Sequence, residues 1–360
     1  MLRRHFGAKL LAGITIITLA GAACSSDGNG GSSASGGGEC TPAEQPVLTF
    51  AAYSTPREVY GKIISSFQEK WKEEHNDQSI IFQESYGGST TQAQNVVNGF
   101  EADVVALSLG PDVDFIADAD LITEDWTAQA DGGMVSTSVV VLDVRPNNPL
   151  GIEDFDDIAA SGVEVLTPDP ASSGGARWNI VGAYGSAMRG YSGVQKGDGA
   201  GAGTLLEGIF GNVIALDKSA RDSIKNFESG NGDVAITYEN EVETAQDAGL
   251  PDEAVYPPST ILIQNPVAVV DVNADEHCVR EVADAFVEYL HSDEAKEYYR
   301  TVGFLRSTDE KAAAKGDKEL GLPPIEDLFT VDDFGGWDSL NETLFSEQGV
   351  FTTAYEASQG

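Results

Sequence analysis

Four times along this 360-residue chain, an aliphatic run hands over to a turn bearing Ser, Thr or Gly, and a helical pattern follows. Val47–Tyr53 leads through Ser54-Thr55 into a helical spacing over Arg57–Lys72, with Val59, Ile63, Phe67 and Trp71 on one face. Ser79–Phe82 leads through Ser85-Tyr86-Gly87-Gly88-Ser89-Thr90-Thr91 into Gln92–Asn98. Val163–Leu166 leads through Thr167-Pro168-Asp169-Pro170-Ala171-Ser172-Ser173-Gly174-Gly175 into the helical run at Asn179–Tyr184. Val213–Leu216 leads through Lys218-Ser219-Ala220-Arg221. Alternation of this kind predicts α/β architecture with parallel strands, because a parallel return needs a crossover and a helix supplies it. It also gathers helix N-termini at the carboxyl ends of strands, where ligands of open α/β sheets bind. A helix N-terminus carries unpaired N–H groups and the positive end of the peptide dipole. Adjacent glycines allow the backbone to approach a ligand closely. Each such turn suits an anion; taken singly, each is equally well an N-capped helix after a tight turn.

Ala102–Leu107 reads as a further strand, and two longer β-rich runs stand apart: Thr137–Asp143 and Thr260–Ile263 continuing through Pro266–Asp271. Between them lies a second α/β set, ending in Asp233–Tyr238; after them come helical patterns at Val279–Leu290 and Glu294–Val302. The layout predicts two lobes, the chain crossing from one to the other and back, with a ligand in the cleft between. The expected division is a leader at 1–23, a lipidated Cys and tether at 24–45, a first lobe at 46–137 plus 263–360, and a second lobe at 138–262. Gly197-Asp198-Gly199-Ala200-Gly201-Ala202-Gly203 has no preceding strand and no following Gly-Lys-Ser/Thr, so it reads as a surface loop rather than a nucleotide loop. His75, His277 and His291 fall in no metal-ligand spacing. Asp112, Asp114, Asp118 and Asp120 lack the EF-hand pattern and read as helix capping and a solvated face. No metal or cofactor is expected.

With 58 acidic against 21 basic residues the net charge is −37, which argues against nucleic-acid binding, since phosphate contacts need clustered Lys and Arg. Arg3, Arg4 and Lys9 precede an apolar stretch, Leu10–Ala20, that is short for a membrane span and has the pattern of a cleaved leader. Gly21-Ala22-Ala23-Cys24 resembles a bacterial lipoprotein cleavage site, in which the cysteine is lipidated. It departs from that pattern in having Gly21 where Leu is usual, and ordinary secretory cleavage near Ala23 is the alternative. Ser25–Glu39 is Gly/Ser-rich and reads as a flexible tether. The resemblance implies a domain held at the outer face of the cytoplasmic membrane, or in a periplasm. With Cys24 lipidated, Cys40 and Cys278 remain as an even pair outside the cytoplasm, which favours a disulfide over two buried thiols.

Several motifs, in order along residues 47–340, are similar to those of the sulfate-binding proteins of ABC importers. They are Ser85-Tyr86-Gly87-Gly88-Ser89 with Glu101–Leu107, Thr167-Pro168 with Ser173–Asn179, Gly232-Asp233-Val234 with Tyr238-Glu239-Asn240-Glu241, and Leu328-Phe329-Thr330 with Phe334-Gly335-Gly336-Trp337. The resemblance implies a two-lobed periplasmic-binding-protein fold of type II, with a hinge of two crossover strands. It implies a monomer that hands its ligand to ABC permease subunits. It further implies an unhydrated sulfate held by neutral donors: the N–H of Ser54, donors of Ser89, the hydroxyl of Ser173, the N–H groups of Gly174 and Gly175, the N–H of Ala220, and Tyr238. Tyr238 stands where well-known members carry a tryptophan, and Ser54-Thr55-Pro56 where the family often has Asp-Pro-Thr.

Fixed dipoles act strongly in a water-poor cleft, whereas diffuse surface charge is screened beyond about 8 Å at physiological ionic strength. Sulfate only accepts hydrogen bonds; hydrogen phosphate also donates one. With no carboxylate among the implied contacts, sulfate is expected over phosphate by ~1–3 kcal/mol. Thiosulfate is the nearest alternative ligand, and molybdate or tungstate a weaker one. From other classes, a secreted enzyme on sulfated substrates lacks a Gly-x-Ser-x-Gly or metal motif, and a surface adhesin would show no lobe closure on ligand.

Overall fold

The computed structural model describes Cys40 and residues 43–360. The expected leader, Cys24 and the tether up to Glu39 lie outside the described residues. The strands are β1 (Val47–Tyr53), β2 (Ile81–Gly87), β3 (Val104–Ala106), β4 (Met134–Val144), β5 (Val165–Pro168), β6 (Val213–Asp217), β7 (Val234–Tyr238), β8 (Glu253–Val255), β9 (Ser259–Val269) and β10 (Asp327–Phe329). They join in the order β2-β1-β3-β9-β4-β7-β5-β6, with β8 added to β4 and β10 to β9. β1 runs parallel to β2 and β3, and β5 parallel to β6 and β7. Between these parallel trios lie two 11-residue strands, β4 and β9, paired antiparallel through Ser136–Asn265 to Val139–Leu262. The two long β-rich runs of the sequence are therefore the crossover strands of the expected hinge.

The helices follow the alternation. The first lobe carries α1 (Arg57–Glu74), α2 (Ser89–Val97) and α3 (Gly110–Ala117); α4 (Phe155–Ile158), α5 (Gly174–Arg189), α6 (Gly199–Gly211), α7 (Ala220–Glu228) and α8 (Glu239–Asp247) belong to the second. After the return crossing come α9 (Asp271–Glu276), α10 (Arg280–Leu290), α11 (Asp293–Thr301), α12 (Glu310–Lys315), α13 (Gly336–Leu340) and α14 (Val350–Ser358). The face of α1 seen in the sequence packs with Phe50, Phe286 and Tyr299 in one core. Ala51, Val105, Val113 and Trp126 form the core on the other side of that sheet. The second lobe is built around Val165, Trp178, Ile180, Leu206 and Phe210.

Two expectations are corrected. The glycine-rich stretch is not a loop: Gly199, Gly201 and Gly203 lie in the first turns of α6, which Asp198 caps by accepting from the Gly201 N–H at 3.0 Å. Glycine disfavours helix by about 1 kcal/mol per residue, but burial of Ala202, Leu205, Leu206, Ile209 and Phe210 along that helix outweighs it. The C-terminal stretch also departs from the division placing all of 263–360 in the first lobe. Phe329, Leu340, Leu344, Phe351 and Ala354 share the second lobe's core, and α14 packs on α6 with Phe351 edge-on to Phe210. Cys40 and Cys278 form a disulfide with Cα atoms 5.3 Å apart.

Candidate functional site

Because β3 pairs antiparallel with β9, β9 with β4 and β4 with β7, the two parallel trios run in opposite senses, and the carboxyl ends of β1, β2 and β3 face those of β5, β6 and β7 across the crossover pair. A small cavity lies between them. The first lobe contributes Tyr53 at the end of β1 with Ser54 and Thr55 after it, Gly87 at the end of β2 with Gly88 and Ser89 after it, and Ser108 after β3. The second contributes Ser173 and Gly175 at the start of α5, Ala220 at the start of α7, and Tyr238 at the end of β7. Among the described residues lining it, none carries a formal charge. Six of the seven expected ligand residues thus meet on one cavity: Ser54, Ser89, Ser173, Gly175, Ala220 and Tyr238.

Gly174, the seventh, does not line the space. A Cβ there would lie 2.8 Å from Leu109 Cγ and 2.9 Å from Ser108 Oγ, so its bare α-carbon lets α5 meet the loop after β3. Its N–H still belongs to the unpaired first turn of α5. Ser173 precedes that turn in extended conformation and its side chain makes no capping bond, leaving the hydroxyl to the cavity. Ser219 caps α7 by accepting from the Asp222 N–H at 3.2 Å, which leaves the Ala220 N–H uncommitted.

The Ser89 side chain is differently placed from its expected role. Its hydroxyl donates to Asp112 Oδ2 at 2.5 Å and accepts the Ser108 N–H at 2.9 Å. Only the backbone N–H of Ser89 remains as a donor. Asp112 is consequently not on a solvated face: it is buried, and Thr90 also donates to it at 3.3 Å. Burial raises its carboxyl above the usual range, while the bonds from Ser89 and Thr90 pull the other way. Asp114 accepts from Trp126 Nε1 at 3.0 Å.

Ser108 escaped sequence reading altogether. Its hydroxyl lies 2.7 Å from Tyr238 Oη, and its carbonyl accepts from Trp178 Nε1 at 2.9 Å and Asn265 Nδ2 at 3.1 Å. A Ser between Leu107 and Leu109 carries no signal of its own; its place just past β3 is the one clue. Burial pushes the Tyr238 phenol well up, against the bonds from Ser108 and Asn265, so it stays neutral.

The lobes touch at the cavity's rim. Arg221 Nη1 lies 2.6 Å from Glu58 Oε1, its Nη2 donates to the Thr55 carbonyl at 2.8 Å, and its Nε sits 2.8 Å from the buried Glu241. The Thr91 N–H donates to the Ser172 carbonyl at 3.2 Å. The molecule is therefore in a closed form. Among the described residues no cluster of three or more His, Cys, Asp or Glu could hold a metal, and no helix is long and apolar enough to cross a membrane.

Two lobes on a crossover hinge, closing over a small uncharged cavity lined with donors, define a binding protein that traps its ligand. The family model for bacterial extracellular solute-binding proteins matches residues 48–305, and the chain belongs to that family. It is 39% identical to a sulfate-binding protein of Synechococcus elongatus, over 99% of this chain and 98% of that one. It is 33% identical to a thiosulfate-binding protein of Pseudomonas aeruginosa, over 88% of this chain and 94% of that one. Among solved structures, the sulfate-binding protein SubI from Mycobacterium tuberculosis superposes with a TM-score of 0.71 at 31% identity, covering 84% of this chain and all of that one. These relatives are solute-binding proteins, not enzymes.

Proposed function

We propose that this protein captures sulfate outside the cytoplasm and delivers it to the permease of an ABC importer. The observation that carries the reading is the donor-lined cavity without formal charge. The starts of α2, α5 and α7 and the loop before α1 converge on it from both lobes, each offering N–H groups without helical partners. Pre-aligned dipoles in a closed, water-poor space stabilise an anion without the desolvation cost of a buried cation. No step of bond making or breaking is required: closure alone turns these separate donors into one site.

Ser54, Ser89, Gly174, Gly175 and Ala220 act here through backbone N–H groups, and Ser173 and Tyr238 through hydroxyls. Sulfate offers only acceptors to this set. Hydrogen phosphate brings a proton; of the buried carboxylates behind the lining, Asp112 already takes the protons of Ser89 and Thr90, and Glu241 faces Arg221. The −37 charge slows anion capture at low salt without reaching into the closed cavity. Thiosulfate is the second reading, favoured by the Pseudomonas aeruginosa relative. We further assign a lipid anchor at Cys24, with the tether allowing a monomeric binding protein to reach its permease from the outer face of the cytoplasmic membrane.

Isothermal titration with sulfate, thiosulfate, molybdate and phosphate tests this. Sulfate should bind one to one, and phosphate should bind roughly 10- to 100-fold more weakly, the cost of one unmatched buried donor. Ser173→Ala should weaken sulfate by a similar factor. Equal affinity for sulfate and phosphate, or none for sulfate, refutes the proposal.

A further inference from the structure

Every backbone donor around the cavity is fixed in direction, but the wall at Ser108 and Tyr238 is not. Their hydroxyl oxygens lie 2.7 Å apart and either can donate to the other. Both residues are 1% exposed and both line the cavity, so bulk water offers them no partner. The pair sits against the first turn of α5: Ser108 Oγ is 2.9 Å from where a Gly174 Cβ would stand, and the Tyr238 ring is 3.5 Å from that of Gly175. Bonds to the Ser108 N–H and carbonyl pin its backbone, from Ser89 on one side and Trp178 and Asn265 on the other. The neighbouring hydroxyl of Tyr53 is committed to Asn265 Oδ1 at 2.9 Å.

Two hydroxyls so placed hold two protons. One lies between the oxygens, and among the described residues the other meets no free acceptor: Asn265, which also borders the Tyr238 phenol, has its Oδ1 taken by Tyr53, and its Nδ2 only donates. We infer that Ser108 is a ligand-contacting residue which, with Tyr238, forms a single orientable donor for the bound oxyanion. If Tyr238 donates to Ser108, the Ser108 proton meets the anion; if Ser108 donates to Tyr238, the phenol does. The pair supplies one proton to the ligand in either case, so removing one member leaves the count unchanged. This rests on the oxyanion reading above and extends it to a residue outside the expected set.

A double-variant cycle tests it, using the full protein and titration with sulfate. Ser108→Ala and Tyr238→Phe should each weaken binding only a few-fold, because the surviving hydroxyl still donates. The double variant removes the last proton and should lose roughly 10- to 100-fold, more than the product of the singles. Ser108→Thr, which retains a hydroxyl, should stay near wild type; melting of the ligand-free proteins confirms that each is folded. Multiplicative losses, or a Tyr238→Phe loss as large as the double variant's, overturn the inference while leaving the sulfate reading intact. Failure of the wild-type protein to bind sulfate or thiosulfate overturns both.

Discussion

Tyr238 and Glu239 are neighbours in the chain, yet they bury polarity in opposite ways. Tyr238 faces the cavity, whose lining carries no charge. Glu239 faces the back of the hinge, where Arg306 Nε meets its carboxylate at 2.6 Å. Both side chains of that pair are essentially inaccessible. Arg306 also donates to the carbonyls of Ala313 at 2.6 Å and Pro323 at 2.8 Å, and its own N–H bonds the Thr137 carbonyl of the crossover strand at 2.9 Å. At the hinge the carboxylate and the guanidinium meet in two bonds and the remaining donors find carbonyls, so a desolvated, bidentate ion pair is satisfied. In the cleft the ligand must arrive and leave. A buried arginine there would be unpaired in every empty closed molecule, whereas a helix start costs far less to leave without its anion.

The largest expected effect lies at the hinge. Arg306→Met leaves Glu239 buried without its partner and should cost ~3–5 kcal/mol in chemical denaturation, while Arg306→Met with Glu239→Met should recover most of it. A cost under about 1 kcal/mol for the single variant would mean that this pair is solvated and that the contrast is false. Next comes Gly88, which probes closure without touching either lobe's interior. Its backbone suits any residue (φ −64°), but a Cβ would lie 2.3 Å from the Ser172 carbonyl oxygen of the opposite lobe and 2.7 Å from that of Lys218. Gly88→Ala should leave ligand-free stability unchanged and weaken sulfate binding by about 100-fold, since overpacking a rigid contact costs roughly 1–3 kcal/mol. Small-angle scattering should show the variant staying open in saturating sulfate; normal closure would place the lobe contact elsewhere.

Both regions were unequally legible in the sequence, for physical reasons. Strand, Ser/Gly turn and helix start are local signals, so the turns that hold Ser54, Ser173, Gly175 and Ala220 could be found from the residues around them, and the family resemblance singled out those residues within the turns. Ser108 sits in an apolar run, and its partner lies 130 positions away; only the folded register makes it polar wall rather than core. Asp112 looked solvated because its spacing is that of an exposed helix face, but α3 turns it toward Ser89. The Arg306–Glu239 pair is likewise a product of tertiary packing, 67 residues apart. In α6 the glycine-rich start spoke for a loop and the apolar spacing from Ala202 to Phe210 spoke for a helix, and packing decided. Where the sequence misled, a local propensity was overridden by a long-range partner.

The smallest effect sharpens the comparison at the rim, where charge does appear beside the cleft. Glu58 is half-exposed; burial opposes its ionisation, but the bond and charge of Arg221 prevail and hold its carboxyl below the usual range. That contact forms between lobes, so its depressed pKa belongs to the closed state. Such a group strengthens closure fully above the ordinary glutamate value of about 4.3, and its contribution is lost as pH falls through the lower, closed-state value. Sulfate affinity should therefore be flat through neutrality and decline only below about pH 5, by a few-fold, because solvent and salt screen an exposed pair. Glu58→Gln should lower affinity by the same few-fold at neutral pH and remove much of the acid slope. The cavity's own donors do not titrate in this range, so a slope that persists unchanged in Glu58→Gln would locate the proton uptake at another group, with Asp112 behind Ser89 the first to test.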